Sequence, residues 1–133
     1  MGLFGSTLPP ILVGEADNHD LLVLAMSGTN HTADQADDLL YELGRARIVD
    51  DRLVPADVVR MGSTVTFTAD GGSAQTLRLA YPHDEGRDGI SIFSPVGTAL
   101  LGLHAGQSMR WTDRDAAVHE VKVHAVDQPG QLD

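Results

Sequence analysis

The sequence predicts an α+β protein: a short antiparallel helical hairpin, then an antiparallel β-sheet domain with one short helix. Two changes of pattern carry this reading. Apolar residues recur at helical spacing up to about residue 49 and alternate with polar ones after residue 63. A Ser-Pro pair followed by Ala and Leu then interrupts the alternation once, at Ser94–Leu101. The break between the two units falls in the polar, proline-ended stretch Asp50–Pro55. Residues 11–54 are therefore assigned to the hairpin and 55–127 to the sheet domain.

The elements follow in order. Met1–Pro10 is rich in Gly, Ser and Pro and is expected to fray. Ile11–Val13 reads as a short extended piece stopped by Gly14. Acids ahead of Leu21–Met26 favour a helix start, because carboxylates suit the positive end of the helix dipole. The first helix is placed at Asp17–Ser27. Ser27–Asn30 breaks it. Thr32 with Gln35 forms a capping box, and Ala36, Leu39, Leu40, Leu43 and Ala46 follow at helical spacing. The second helix is expected from Thr32 to Val49. Strands are expected at Thr64–Ala69, Gln75–Tyr81, Ile90–Phe93, Gln107–Thr112 and Ala117–Val126. Asp70–Gly72 makes a tight turn and Pro82–Gly89 a charged loop. Ser94 caps the short helix, Pro95 opens it and Gly102 ends it. The tail from Asp127 is expected to be loose.

Composition excludes several functions. The chain has no cysteine, so disulfides, thiolate catalysis and Cys-bound zinc are out. Nineteen acids against nine bases give a net charge of -10. That charge opposes phosphate backbones and anionic membranes and favours basic protein surfaces. Met1–Pro10 has no positive charge and no long apolar run, and Leu21–Met26 is too short to span a bilayer. A cytoplasmic location is expected. The six histidines, at 19, 31, 83, 104, 119 and 124, form no compact ligand pattern, so no metal site is predicted. Ser91 lies two residues after Gly89, but Phe93 breaks the nucleophile-elbow pattern. Asp70–Ser73 is Gly-rich but precedes a strand, which suits a turn and not a phosphate cradle. No catalytic residue and no cofactor are predicted.

The stretch Gly89–Gln107, with its core Ser94-Pro95-Val96-Gly97-Thr98-Ala99-Leu100-Leu101-Gly102-Leu103, resembles the signature of the GreA/GreB C-terminal domain. Met61–Phe67 resembles the entry to the same domain. Val58–Met61, Tyr81-Pro82 and the short hairpin are similar to one branch of that group, the regulator of nucleoside diphosphate kinase (Rnk) family. The resemblance spans about residues 10–126. It implies an FKBP-like fold for residues 56–126 and docking on RNA polymerase at the secondary-channel entrance. In Gre factors the loop before the small helix touches a coiled coil of the polymerase. Carried over, this marks Phe93, Ser94, Pro95, Val96 and Gly97 as partner-binding. Gre factors can carry Asp just before Ser-Pro, whereas this chain has Phe93.

The expected hairpin tip comprises Thr29, Asn30 and His31, with Asp34 close behind. A first helix of eleven residues rises only about 16 Å, and its tip carries no carboxylate. The expectation is a regulator that competes with Gre factors by occupancy and not by catalysis. Two alternatives stay open here: a transcript-cleavage factor and an FKBP-like prolyl isomerase.

Overall fold

The structure is a computed structural model that describes residues 8–130. The expectations for Met1–Thr7 and Gln131–Asp133 lie outside the described residues. The element order is β1 (Leu12–Gly14), α1 (Glu15–Met26), α2 (Ala33–Arg45), β2 (Arg47–Val49) and a 3-10 turn (Asp51–Leu53). Then come β3 (Thr64–Ala69), β4 (Gln75–Ala80), β5 (Gly89–Ser91), α3 (Pro95–Leu100), β6 (Ser108–Thr112) and β7 (Val118–Asp127). The class is α+β, with a five-stranded sheet in the order β5-β4-β3-β7-β6.

Four expectations need correction. The second helix stops at Arg45, not Val49, because Arg47–Val49 pairs in parallel with Leu12–Gly14. The small parallel pair satisfies backbone groups that a longer helix would have used internally. The sheet is mixed and not wholly antiparallel, since β5 runs parallel to β4 with Leu79 opposite Ile90. The strand there ends at Ser91, and Ile92 and Phe93 turn inward as buried side chains. Finally, the chain past Val126 is tied down as far as Gln128. Asp127 pairs with Thr64. The Gln128 amide donates to the Ala56 and Val58 carbonyls at 2.9 and 2.7 Å, and Ser63 Oγ donates to its Oε1 at 2.6 Å.

Local chemistry explains the helix limits. Thr32 Oγ1 accepts from Gln35 N, and Gln35 Oε1 accepts from Thr32 N, so the capping box is complete. α1 has no cap of its own at Gly14. Its Ala16 N–H donates instead to Asp51 Oδ1 at 3.0 Å, from 35 residues away. A side chain at position 14 would run into that carboxylate, so glycine is required there. Gly102, at φ +82, accepts from Leu12 N and donates to Val59 O, joining β1 to the start of the sheet domain.

One apolar cluster draws on both halves of the chain. It joins Leu21, Ala25, Leu39 and Leu43 from the helices to Val65, Phe67, Leu79, Val121 and Val123 from the sheet. α3 lies between, with Ala99 and Leu100 buried against α2 and β7. A buried ion pair closes the far side. Arg45 meets the Glu42 carboxylate at 2.8 Å and also donates to Pro9 O at 2.6 Å. Burial pushes the Glu42 carboxyl up, and Arg45 partly offsets this. Arg45→Met strands that carboxylate and should cost about 3 kcal/mol at neutral pH. Urea unfolding measures it; a loss under about 1 kcal/mol, the range of an exposed pair, contradicts the buried-pair assignment.

Candidate partner interface

The Ser91–Gly97 turn is rigid because it bonds to itself. Ser94 Oγ donates to Ser91 O at 2.7 Å and accepts from Gly97 N at 3.0 Å. Ser91 Oγ accepts from Phe93 N, and Thr98 Oγ1 donates to Ile92 O at 2.6 Å. Ser94 is thus the cap of α3, with Pro95 at its first position. Gly97 is dictated by space: a Cβ there would collide with the Ser91 carbonyl. Of the five residues marked in this turn, Pro95 is exposed and Ser94 and Val96 are half-buried. Phe93 and Gly97 are buried. Phe93 is only 4 % exposed and supports the turn from beneath.

Two sets of residues that the sequence suggests separately, the helical tip and this turn, meet at one end of the molecule. The His31 imidazole stacks on the Phe93 ring, with centroids 4.3 Å apart and planes 21° from parallel. His31 Nε2–H donates to Ala25 O at 3.0 Å, which fixes the ring against the last turn of α1. His31 Nδ1 is buried without a hydrogen-bond partner, the one such side-chain atom among the described residues. Beside it, His83 donates from Nε2 to Asn30 Oδ1 at 3.1 Å. Asn30 and His83 both adopt positive φ, 64° and 73°. No sequence pattern marks His83 as a contact, since it sits in a charged loop whose course no periodicity reports.

The remaining tip residues are engaged differently. Thr29 is exposed and bonds only within the tip, to Ser27. Asp34 lies in the first turn of α2 and pairs with Arg114 of the β6–β7 turn at 3.3 Å. Arg114 also takes Asp38 through two bonds of 3.1 Å. The carboxylate nearest the tip is therefore matched by a cation of the sheet domain.

A second group of acids, Glu15, Asp17 and Asp20, lies toward the start of α1. Asp17 accepts from Met61 N at 3.1 Å, and burial pushes its carboxyl up. Tyr81 is pushed up to about 12, by burial first and then by Asp17 and Asp20. No group of three His, Asp or Glu residues among the described residues is arranged to hold a metal ion. No helix among them is long and apolar enough to cross a membrane.

Residues 54–128 match the transcription elongation factor GreA/GreB C-terminal family. The "Regulator of nucleoside diphosphate kinase" of Escherichia coli K12 is 33% identical over 106 residues, covering 77% of this chain and 78% of that protein. The protein of the same description from Shigella flexneri matches to the same extent. Among solved structures, "Prokaryotic transcription elongation factor GreA/GreB from Nitrosomonas europaea" superposes with a TM-score of 0.67 at 35% identity. That match covers 90% of this chain and 98% of the other.

The burial pattern separates two roles. Phe93→Ala removes a core ring and should cost about 3–4 kcal/mol. His31→Ala removes the stack and the bond to Ala25 O and should cost about 1–2 kcal/mol. Chemical denaturation of both variants checks this; comparable losses would place Phe93 at the surface.

Proposed function

Because the chain belongs to the GreA/GreB transcription elongation factor family, together with the regulator of nucleoside diphosphate kinase, we propose that it is a regulator that binds RNA polymerase. On this reading residues 55–127 form an FKBP-like docking domain and residues 11–54 a short helical hairpin. The protein acts in the cytoplasm at the secondary-channel entrance by occupying it, and it competes there with Gre factors. It carries out no chemistry of its own and needs no cofactor.

The observation that carries this reading is the state of the helical tip. α1 has twelve residues, a rise of about 18 Å. Its end, Ser27–His31, holds no carboxylate, and His31 lies on Phe93. Asp34, the nearest acid, is paired with Arg114, which it shares with Asp38. An arm of this kind has nothing to offer a distant catalytic magnesium, which needs oxygen donors brought to it. The rigid turn behind it presents Pro95 to solvent, with Ser94 and Val96 beside it. The net charge of -10 favours encounter with a basic partner surface.

Capture of core RNA polymerase on the immobilised chain tests the surface. The native chain retains polymerase, and Pro95→Asp reduces retention at least about tenfold, the effect of roughly 1.4 kcal/mol. Equal retention by both removes the proposed contact. On a backtracked elongation complex, the chain alone yields no shortened RNA, and it slows cleavage by an added Gre factor as its concentration rises. Shortened RNA from the chain alone would make it a cleavage factor instead.

A further inference from the structure

We propose that His119, held as an imidazolium between Asp70 and Asp113, is a proton-operated clamp that fixes the β6–β7 turn and with it the seat of α2. The two carboxylates come from different turns at one end of the sheet. Asp70 follows β3, and Asp113 follows β6. His119 Nδ1 lies 3.0 Å from Asp70 Oδ2, and Nε2 lies 2.8 Å from Asp113 Oδ2.

A neutral imidazole has one N–H and can satisfy one carboxylate; an imidazolium has two and satisfies both. The carboxylates are not free to rearrange around a neutral ring. Asp70 Oδ1 accepts from Glu120 N at 2.8 Å. Asp113 Oδ1 accepts from Asp115 N and Ala117 N at 2.8 and 2.9 Å. Each acid thus spends one oxygen on backbone and aims the other at the ring. Loss of the proton leaves one carboxylate facing a nitrogen lone pair at under about 3 Å, a repulsive contact.

The surroundings favour the charged ring. Trp111, the cross-strand partner of His119, places its ring centroid 5.4 Å away, within reach of a cation–π contact. The charged neighbours on β7 are Glu120, which faces Arg110 at 3.8 Å, and Lys122. The side-chain bonds to Asp70 and Asp113 raise the His119 pKa above 6.5, and the same bonds lower both acids. The folded state therefore binds the proton more tightly than the unfolded chain. The clamp's stabilisation is complete below 6.5 and is lost as pH rises through the folded-state value.

The clamp matters for the helices because its turn carries Arg114. That side chain holds Asp38 and Asp34 of α2. Opening the clamp leaves the turn's own Asp113–Ala117 bonds in place but unties it from the Asp70 turn beside it, and so loosens the footing of Arg114, a polar link between the tip-proximal end of α2 and the sheet.

The full chain contains a single tryptophan, so Trp111 emission reports the clamp directly. Emission is followed from acid to alkaline pH together with the NMR shifts of the His119 ring. The expected result is emission quenched by the charged ring and a midpoint above 6.5. Asp70→Asn and Asp113→Asn each move the midpoint down toward 6.5, and His119→Gln removes the transition. At pH 6, His119→Gln also speeds solvent exchange of the Arg114 Nε–H several-fold. The wild-type titration is decisive even if a variant folds poorly. A midpoint at or below 6.5, a midpoint unmoved by the Asn variants, or unchanged Arg114 exchange would each overturn the clamp.

Discussion

Two helices of twelve and thirteen residues are too short to stand alone in water. Their stability has to come from burial, and the structure shows where. Leu21 and Ala25 of α1, and Ala36, Leu39 and Leu43 of α2, enter the same cluster as the inner face of the sheet. α3 is the wedge between the two, with Gly97 allowing it to sit close to Ser91 and Leu100 filling the centre. The polar attachments add position more than energy. Asp51 caps α1 from beyond β2 in the chain, Arg45 ties α2 to Pro9, and Arg114 holds Asp34 and Asp38 of α2 to the sheet.

This dependence shapes what the protein can do. A helical pair that is seated along its length keeps its end near the domain it grew from. Here that end lies on the signature turn through the His31–Phe93 stack and on the loop before β5 through the Asn30–His83 bond. The surface formed there is a compact one in which Pro95 is exposed between half-buried Ser94 and Val96. A docking function suits such a surface, because rigid self-bonded turns lose little freedom when a partner arrives. On the proposed reading, delivery of acidic groups over a distance does not suit it.

Local signals were legible in the sequence. The Thr32–Gln35 capping box, the Ser94-Pro95 helix start and the alternation in Thr64–Ala69 all rest on neighbours within four residues, and all are present. What escaped was non-local. Arg47–Val49 looked like the last turn of a helix because Ala46 continued the spacing; its pairing with Leu12–Gly14, thirty-five residues away, leaves no periodic trace in three residues. The parallel course of β5 depends on the charged loop before it, whose geometry turns on His83 and Gly86 at positive φ. The turn itself is legible, but the burial of Phe93 is not, because the residues that cover it, His31 above all, come from about sixty positions earlier. The Asp70–His119–Asp113 arrangement was hidden for the same reason, since β3, β6 and β7 bring those residues together only in the folded sheet.

The contact between His31 and Phe93 is the most direct probe of a helical end folded onto its own domain. A two-dimensional NOE spectrum of the full chain should contain cross-peaks between the ring protons of these two residues, as a 4.3 Å centroid separation requires. Absence of those cross-peaks, with the Ser27–Thr32 amides relaxing independently of the sheet, would mean that the tip stands free, and the occupancy account would lose its physical basis.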